Sequence, residues 1–256
     1  MTYQHTEIII KMKRLLLILL FCVMLAPIAG ARTFVLVCGV SNYGDSTINL
    51  AQTTKDAKAF AKLMKTQTPD VTLLTSKYAN RENILSKLRA ICNRAQADDR
   101  VVFYFSGHGC ENNFLASDGL VPYSNLFALL DRSAAKEKII LIDACMAGTI
   151  VNQLNNGGKP KAKEGYAIFT SCRGNELSIE STIAGQGFFT KGLLKGMRGR
   201  GDYDSNQQVT IKELFKYVFA DVVKRSDDQQ HPQLIAPVGM MDKVICTWDA
   251  EPSSAK

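Results

Sequence analysis

Histidine is scarce in this sequence: there are three in 256 residues, and only His108 and His231 lie beyond residue 31. No two cysteines form a CxxC pair, which excludes the zinc sites built on that spacing. The formal charge is +7, yet no basic run is interleaved with aromatics, so the charge does not point to nucleic acid. Three basic residues and one acidic residue precede residue 32, leaving a mild excess near +5 spread along the rest, which favours solubility. No apolar run approaches the roughly 20 residues of a membrane span; the strongest runs only from Leu15 to Leu25. Internal repeats are absent, as is any low-complexity tract longer than a linker.

What is present begins with a leader. Met12-Lys13-Arg14, the apolar run and Ala26-Pro27-Ile28-Ala29-Gly30-Ala31 together read as a secretory signal peptide over residues 1–31. Residues 1–11 fit a signal poorly, so Met12 is the better start, and the mature chain is expected to begin near Arg32. Bulky Phe21 argues against lipidation of Cys22. The expected location is outside the cytoplasm, periplasmic or extracellular, with no stable membrane association after cleavage. The remaining 32–256 suit a single domain with a full core. Six cysteines remain: Cys38, Cys92, Cys110, Cys145, Cys172 and Cys246. Export permits disulfides. If Cys145 is kept as a thiol, at least one of the other five stands outside any bridge. Cys38 and Cys92 lie in strongly apolar segments and read as small core residues.

Short apolar runs alternate with amphipathic stretches. Thr33 to Cys38, Val71 to Leu74, Val101 to Phe105, Ile139 to Ile142 and Tyr166 to Phe169 lack polar alternation, as strands buried on both faces do. Ala57, Phe60, Ala61 and Met64 recur at helical spacing, as do Ile84, Leu85, Leu88, Ile91 and Cys92, with Asn80 as N-cap of that second helix. The alternation predicts a parallel sheet covered by helices on both faces. Asn112 to Pro122 contains Asp118-Gly119 and predicts a small hairpin. The polar segment 151–164, with a Gly-Gly pair and three lysines, predicts an exposed linker. Phe188 to Met197 and Ile211 to Val223 read as helices. Pro232 to Val238 reads as an edge strand whose prolines limit its pairing.

The third strand ends in Ser106-Gly107-His108-Gly109 and the fourth in Asp143-Ala144-Cys145. In a doubly wound sheet, the loops at the carboxyl ends of strands form the ligand crevice, so His108 and Cys145 can converge across 37 residues. A thiol needs a neighbouring imidazole to generate thiolate and later to protonate a leaving amine. The adjoining glycines admit a substrate backbone and leave amide groups to face an oxyanion. His231, beside Pro232 in a polar stretch, reads as an exposed residue.

SGHG closing one apolar strand and DAC closing the next resemble the caspase-like cysteine peptidases, the metacaspase branch more than the animal caspases. Val40-Ser41-Asn42-Tyr43 followed by Lys55-Asp56-Ala57 is similar to that family's first strand and helix start. Phe169-Thr170-Ser171, Gly187-Phe188-Phe189-Thr190 and Val209-Thr210-Ile211-Lys212-Glu213-Leu214 are similar to its later segments. The resemblance implies an α/β caspase-like three-layer sandwich with a mainly parallel six-stranded sheet. It places His108 and Cys145 on the catalytic dyad, and the backbone N–H groups of Gly109 and Cys145 on the oxyanion hole. It also implies a substrate pocket shaped by Asp56, Ser106 and Asp143, whose acids favour Arg or Lys before the scissile bond. Met146-Ala147-Gly148 replaces the His-Ser-Gly common in metacaspases. Ala51-Gln52 and Lys55 are further departures from the family pattern.

Asp56 has a second reading, because Thr53-x-x-Asp56 resembles a capping box. Asp202-x-Asp204-x-Asn206 with Val209 and Glu213 spaces like a calcium loop, but Gln207 stands where the sharp turn wants glycine. Thr210-x-x-Glu213 reads more simply as a helix cap, so no metal site is expected and no cofactor is implied. The expected activity is a cysteine endopeptidase acting on peptides or proteins after Arg or Lys through a thioester acyl-enzyme. Alternatives are a transpeptidase or ligase using the same dyad, or a non-catalytic binding module. By the same resemblance the linker is either a self-cleavage segment, with Lys161 and Lys163 as candidates because Pro160 disfavours a cut after Lys159, or simply a solvated loop.

Overall fold

The computed structural model describes residues 30–154, 161–181 and 186–248. Five parallel strands form the centre: β1 (Thr33–Gly39), β2 (Val71–Thr75), β3 (Arg100–Ser106), β7 (Glu137–Asp143) and β8 (Tyr166–Thr170). A sixth, β12 (Gln233–Ile235), pairs antiparallel with β8 at the edge, giving the order β12-β8-β7-β3-β1-β2. Each expected strand is present, and its period-two geometry builds two cores at once. On β1, Phe34, Leu36 and Cys38 face one side while Val35 and Val37 face the other. The first side packs α2 (Arg81–Arg94) and α3 (Tyr123–Leu130). The second packs α1 (Thr53–Met64), α4 (Phe188–Lys195) and α5 (Ile211–Arg225). Ile139, Ile140, Leu141 and Ile142 of β7 are all fully buried, each burial worth about 1.5–3 kcal/mol. That explains why these strands show no polar alternation.

Asn80 caps α2 as expected, its side chain accepting from Asn83 N–H at 2.8 Å. The Thr53–Asp56 cap does not form. Gln52 is the N-cap of α1 and makes no side-chain cap bond, Thr53 Oγ1 donates to the Val40 carbonyl at 2.7 Å, and Asp56 turns inward. The hairpin is present as β5 (Asn113–Ala116) and β6 (Gly119–Pro122), with β4 (Gly109–Cys110) added as a third strand. Helix α4 ends earlier than its apolar pattern, passing into a π-turn over Gly196–Arg200. A pair of two-residue strands, β9 (Glu180–Ser181) and β10 (Gln186–Gly187), precedes it. A strand β11 (Gln208–Thr210) pairs with β13 (Val244–Thr247), and a short α6 (Val238–Met241) lies between β12 and β13.

Two expectations need correction here. The linker does not start at residue 151: a 3-10 helix runs over Ala147–Leu154, and Val151 and Leu154 pack against the core, so these side chains belong to a buried face. Residues 155–160 lie outside the described ones. His231 is not exposed. Its side chain retains 15% exposure between Glu176 and Asp228, because the polar stretch folds back against residues 173–176.

The chain from Arg32 onward forms one compact unit; of residues 1–31 only Gly30 and Ala31 are described, so the signal peptide expected there lies outside the described residues. Among the described residues no helix is long and apolar enough to cross a membrane. No disulfide joins any of the six cysteines described.

The loop before α5 has the turn of a calcium loop. Gln207 adopts φ +64°, the left-handed conformation usually left to glycine, so its identity did not prevent the bend. Asp202, Asp204 and Glu213 carry carboxylate oxygens within 4.8 Å of one another. These oxygens accept hydrogen bonds from the loop itself: Asp202 from Asn206 and Gln207 N–H and from Trp248 Nε1, Asp204 from Asn206 N–H, Glu213 from Tyr203 and Thr210 N–H. The capping box between Thr210 and Glu213 is complete in both directions. Removing it with Thr210→Ala is expected to lower stability by about 1 kcal/mol, measured as a shift of the urea midpoint at constant slope. An unchanged midpoint would show that the box is dispensable to α5.

Candidate active site

The parallel register of β3 and β7 sets the site. Ser106 stands directly opposite Asp143, the last residues of their strands, and Gly39 of β1 stands opposite Ser106. His108 and Cys145 are each two residues past that line. Around them lies a slot of about 70 Å³ lined by Leu50, Thr53, Asp56, Ser106, Gly107, His108, Asp143, Cys145, Ser178 and Gly187. Of the residues singled out in the sequence, His108, Cys145, Asp56, Ser106 and Asp143 thus meet in one place.

Gly109 belongs to the same place through its backbone. A β-carbon there would sit 2.5 Å from the Cys145 carbonyl oxygen and 2.9 Å from the Ala144 methyl, so only glycine permits this approach. Leu115 N–H donates to the His108 carbonyl at 2.9 Å, and Gly109 faces Phe114 across the hairpin. That is a non-hydrogen-bonded ladder position, where the Gly109 N–H points away from β5. Lys161 and Lys163 do not join the slot. They precede β8, at the amino end of the sheet. Both are exposed; Lys163 Nζ lies 2.6 Å from Asp131 Oδ1 and over the Tyr166 ring.

The imidazole is fixed by residues that the sequence alone did not mark. His108 Nε2 lies 2.6 Å from the Ile48 carbonyl oxygen, in the segment between β1 and α1. A carbonyl only accepts, so Nε2 carries the hydrogen, and in the neutral ring the lone pair is left on Nδ1. Tyr43 packs its ring 4.9 Å from the imidazole, and its hydroxyl accepts from His108 N–H at 2.8 Å. Tyr43 lies past the end of β1, in the loop and not in the first strand. No sequence signal could have chosen Ile48, because any residue offers a carbonyl there.

The nucleophile candidate sits on a sharp turn. Met146 has φ +54°, its N–H donates to the Glu176 carbonyl at 2.9 Å, and its own carbonyl accepts from Thr149 N–H and hydroxyl. Ser171 Oγ contacts both the N–H and the carbonyl of Ala144. Burial pushes Cys92 and Cys172 up to about 11 and Cys246 up to about 12, so they stay protonated at neutral pH.

Two carboxylates close the slot. Asp143 Oδ1 accepts from Ser178 Oγ at 2.6 Å, and Oδ2 accepts from Thr190 Oγ1 at 2.6 Å and from Thr190 N–H at 3.3 Å. Burial pushes the Asp143 carboxyl above the usual range, and these three hydrogen bonds only partly oppose it. Asp56 Oδ2 accepts from Gly187 N–H at 3.0 Å. A β-carbon on Gly187 would lie 3.0 Å from Asp143 Oδ2 and 3.2 Å from Asp56 Oδ2, so glycine here keeps both carboxylates open to the slot. Ser178, Thr190 and Gly187 come from segments far along the chain, and none carried a chemical signature of its own.

Comparison with known proteins identifies the family and the fold. The family model of the caspase domain matches residues 32–238. A Desulfuromonadales bacterium protein named "Probable protease" is 24% identical over 180 residues, 57% of this chain and 22% of that protein. Metacaspase-1 of Schizosaccharomyces pombe is 29% identical over 133 residues, 49% of this chain and 28% of that protein. The match therefore spans about a quarter of these relatives' own length. Among solved structures, a Geobacter sulfurreducens protein superposes with a TM-score of 0.65 at 17% identity, covering 85% of this chain and 100% of that one. Caspase-1 of Spodoptera frugiperda superposes with a TM-score of 0.64 at 16% identity, covering 86% and 93%. Those likenesses carry the fold, and the family match covers most of the sequence from the first strand of the sheet to its last: this chain belongs to the caspase domain family.

Proposed function

We propose that the protein is a cysteine endopeptidase that cleaves after arginine or lysine, with Cys145 as nucleophile and His108 as acid–base partner. The observation that carries this reading is a single slot shared by an imidazole, a thiol and two buried carboxylates. In the proposed reaction His108 takes the Cys145 proton and the thiolate attacks the substrate carbonyl. The N–H groups of Gly109 and Cys145 face the resulting oxyanion. The carbon–nitrogen bond breaks as His108 returns the proton to the leaving amine, leaving a thioester that water hydrolyses. The Ile48 carbonyl keeps Nε2 protonated, so Nδ1 is the atom that shuttles the proton. No cofactor enters this scheme.

Asp56 and Asp143 supply the selectivity. An arginine or lysine head in the slot would compensate the desolvation that now pushes Asp143 up, whereas an aspartate would bring a third carboxyl group beside two already buried ones. The signal peptide over residues 1–31 places this activity outside the cytoplasm in the proposed reading.

Cys145→Ala and His108→Ala are each expected to lower peptide hydrolysis by at least about 10³-fold while circular dichroism stays unchanged. Near-normal turnover in either variant would remove the dyad assignment. In a panel varying the residue before the scissile bond, wild type is expected to cut after Arg or Lys and not after Asp. Asp143→Lys should cost about 2–5 kcal/mol in kcat/KM on the basic substrate. Efficient cleavage after Asp by wild type would refute the pocket reading.

Self-cleavage is expected after Lys161, since Lys163 is held by Asp131. Lys138 of β7 pairs with Tyr166, so Lys161 lies roughly 20 Å from Cys145 along the strand direction. That separation favours a cut between two molecules over one within a single chain. On incubation, wild type should give two fragments meeting at residue 161 at a rate rising with the square of concentration, and Cys145→Ala should stay whole. A rate rising only in proportion to concentration, with a half-time that does not change, would place the cut within one chain.

A further inference from the structure

Two adjacent residues after α5, Gln230 and His231, reach the walls of the slot without lining it. Gln230 is fully buried. Its Oε1 accepts from Ile179 N–H at 2.9 Å and its Nε2 donates to the Ser171 carbonyl at 2.8 Å. Ile179 follows Ser178, whose hydroxyl is on Asp143, and Ser171 grips Ala144, which precedes the nucleophile. His231 binds the other half of the same wall. Its N–H donates to Glu176 Oε2 at 2.9 Å, its Nδ1 lies 2.9 Å from Glu176 Oε1, and its Nε2 lies 3.0 Å from Asp228 Oδ1. The Glu176 carbonyl receives the N–H of Met146, the residue after Cys145. Burial pushes the Glu176 carboxyl up, but bonds from the Arg173 and His231 N–H groups and from the His231 ring outweigh it and hold the group below the usual carboxylate range.

We propose that Gln230 and His231 form a positioning pair for the peptidase site, His231 setting the turn of the nucleophile through Glu176 and Gln230 setting the substrate wall through Ile179 and Ser178. The proposal rests on the peptidase reading only for its kinetic consequences; the mechanical tie is a property of the fold. A fully buried amide is costly unless its bonds are made, and here both ends of the amide are bonded to segments that touch the slot. Sequence adjacency lets one short stretch of backbone hold both walls in step. Glu176 contacts His231 from the 171–179 segment, with Arg173 as its other charged partner at 3.3 Å. Asp228 contacts it from the preceding turn, and the Phe219 ring packs against the imidazole from α5.

The two ties predict opposite kinetic signatures. His231→Leu removes the ring's contacts with Glu176 and Asp228 and is expected to lower kcat on a basic peptide at least about tenfold with KM within about twofold. His231→Asn, which keeps a donor near the Nδ1 position, should return kcat to within about twofold of wild type. Gln230→Met should raise KM about tenfold with the smaller change in kcat. All constants are taken per active site titrated with an alkylating substrate analogue, so loss of folded protein does not enter. In parallel, amide hydrogen exchange should speed at Met146 in His231→Leu and at Ile179 in Gln230→Met, each about tenfold. An active wild type with unchanged constants in both variants would overturn the proposal, as would equal loss in His231→Leu and His231→Asn. If wild type itself cleaves no peptide, the peptidase reading falls, and the exchange rates alone decide the tie: unchanged protection at Met146 and Ile179 sinks it.

Discussion

The in-phase parallel pairing of β3 with β7 is the constraint on which the rest depends. Ser106 opposite Asp143 makes both strands end on one line, so the two following loops start side by side. A slip of one residue would turn every side chain of a strand to the other face, sending Ile140 and Ile142 to the core of Ile139 and Leu141. Two separate cores therefore lock the register, and the register places His108 beside Cys145. The chemistry is held by hydrophobic burial some distance beneath it.

Polar groups around the slot are arranged so that few charges are left to water. Asp143 is buried and raised, yet three donors surround it, and the imidazole gives one nitrogen to the Ile48 carbonyl. Such a site is pre-organised at the cost of space: the slot is narrow before any substrate enters. The bonds from Ser178 and Thr190 are the ones that stabilise Asp143 in its buried position.

The corrected elements have a common cause. Val151 and Leu154 adjoin a polar stretch and His231 lies within one, so local composition hides their burial. Burial is decided by partners far along the chain, Glu176 for His231 and the core beneath the 3-10 helix for Val151 and Leu154. Thr53 likewise had a suitable local role as a cap, but the Val40 carbonyl claimed its hydroxyl and the Gly187 N–H claimed Asp56. The Asp202–Glu213 loop went the other way, since Gln207 accepted a left-handed conformation and the local turn formed as its spacing asked.

What the sequence determined by itself was the periodicity and the two strand-end signatures. Uninterrupted apolar runs require strands buried on both faces, and Ser-Gly-His-Gly and Asp-Ala-Cys at their ends require the imidazole and thiol to stand at the carboxyl edge of the sheet. The caps at Asn80 and Thr210 were legible for the same reason: their partners lie three residues away. The tertiary structure alone decided which groups orient the reactive atoms. The Ile48 carbonyl on His108, the Glu176 carbonyl on Met146, the Thr190 hydroxyl on Asp143 and the buried Gln230 amide bring together residues separated by 30 to 60 positions. Backbone carbonyls and single hydroxyls have no composition or spacing that distinguishes them. They acquire a role only when packing brings a donor to an acceptor in a place from which water has been removed.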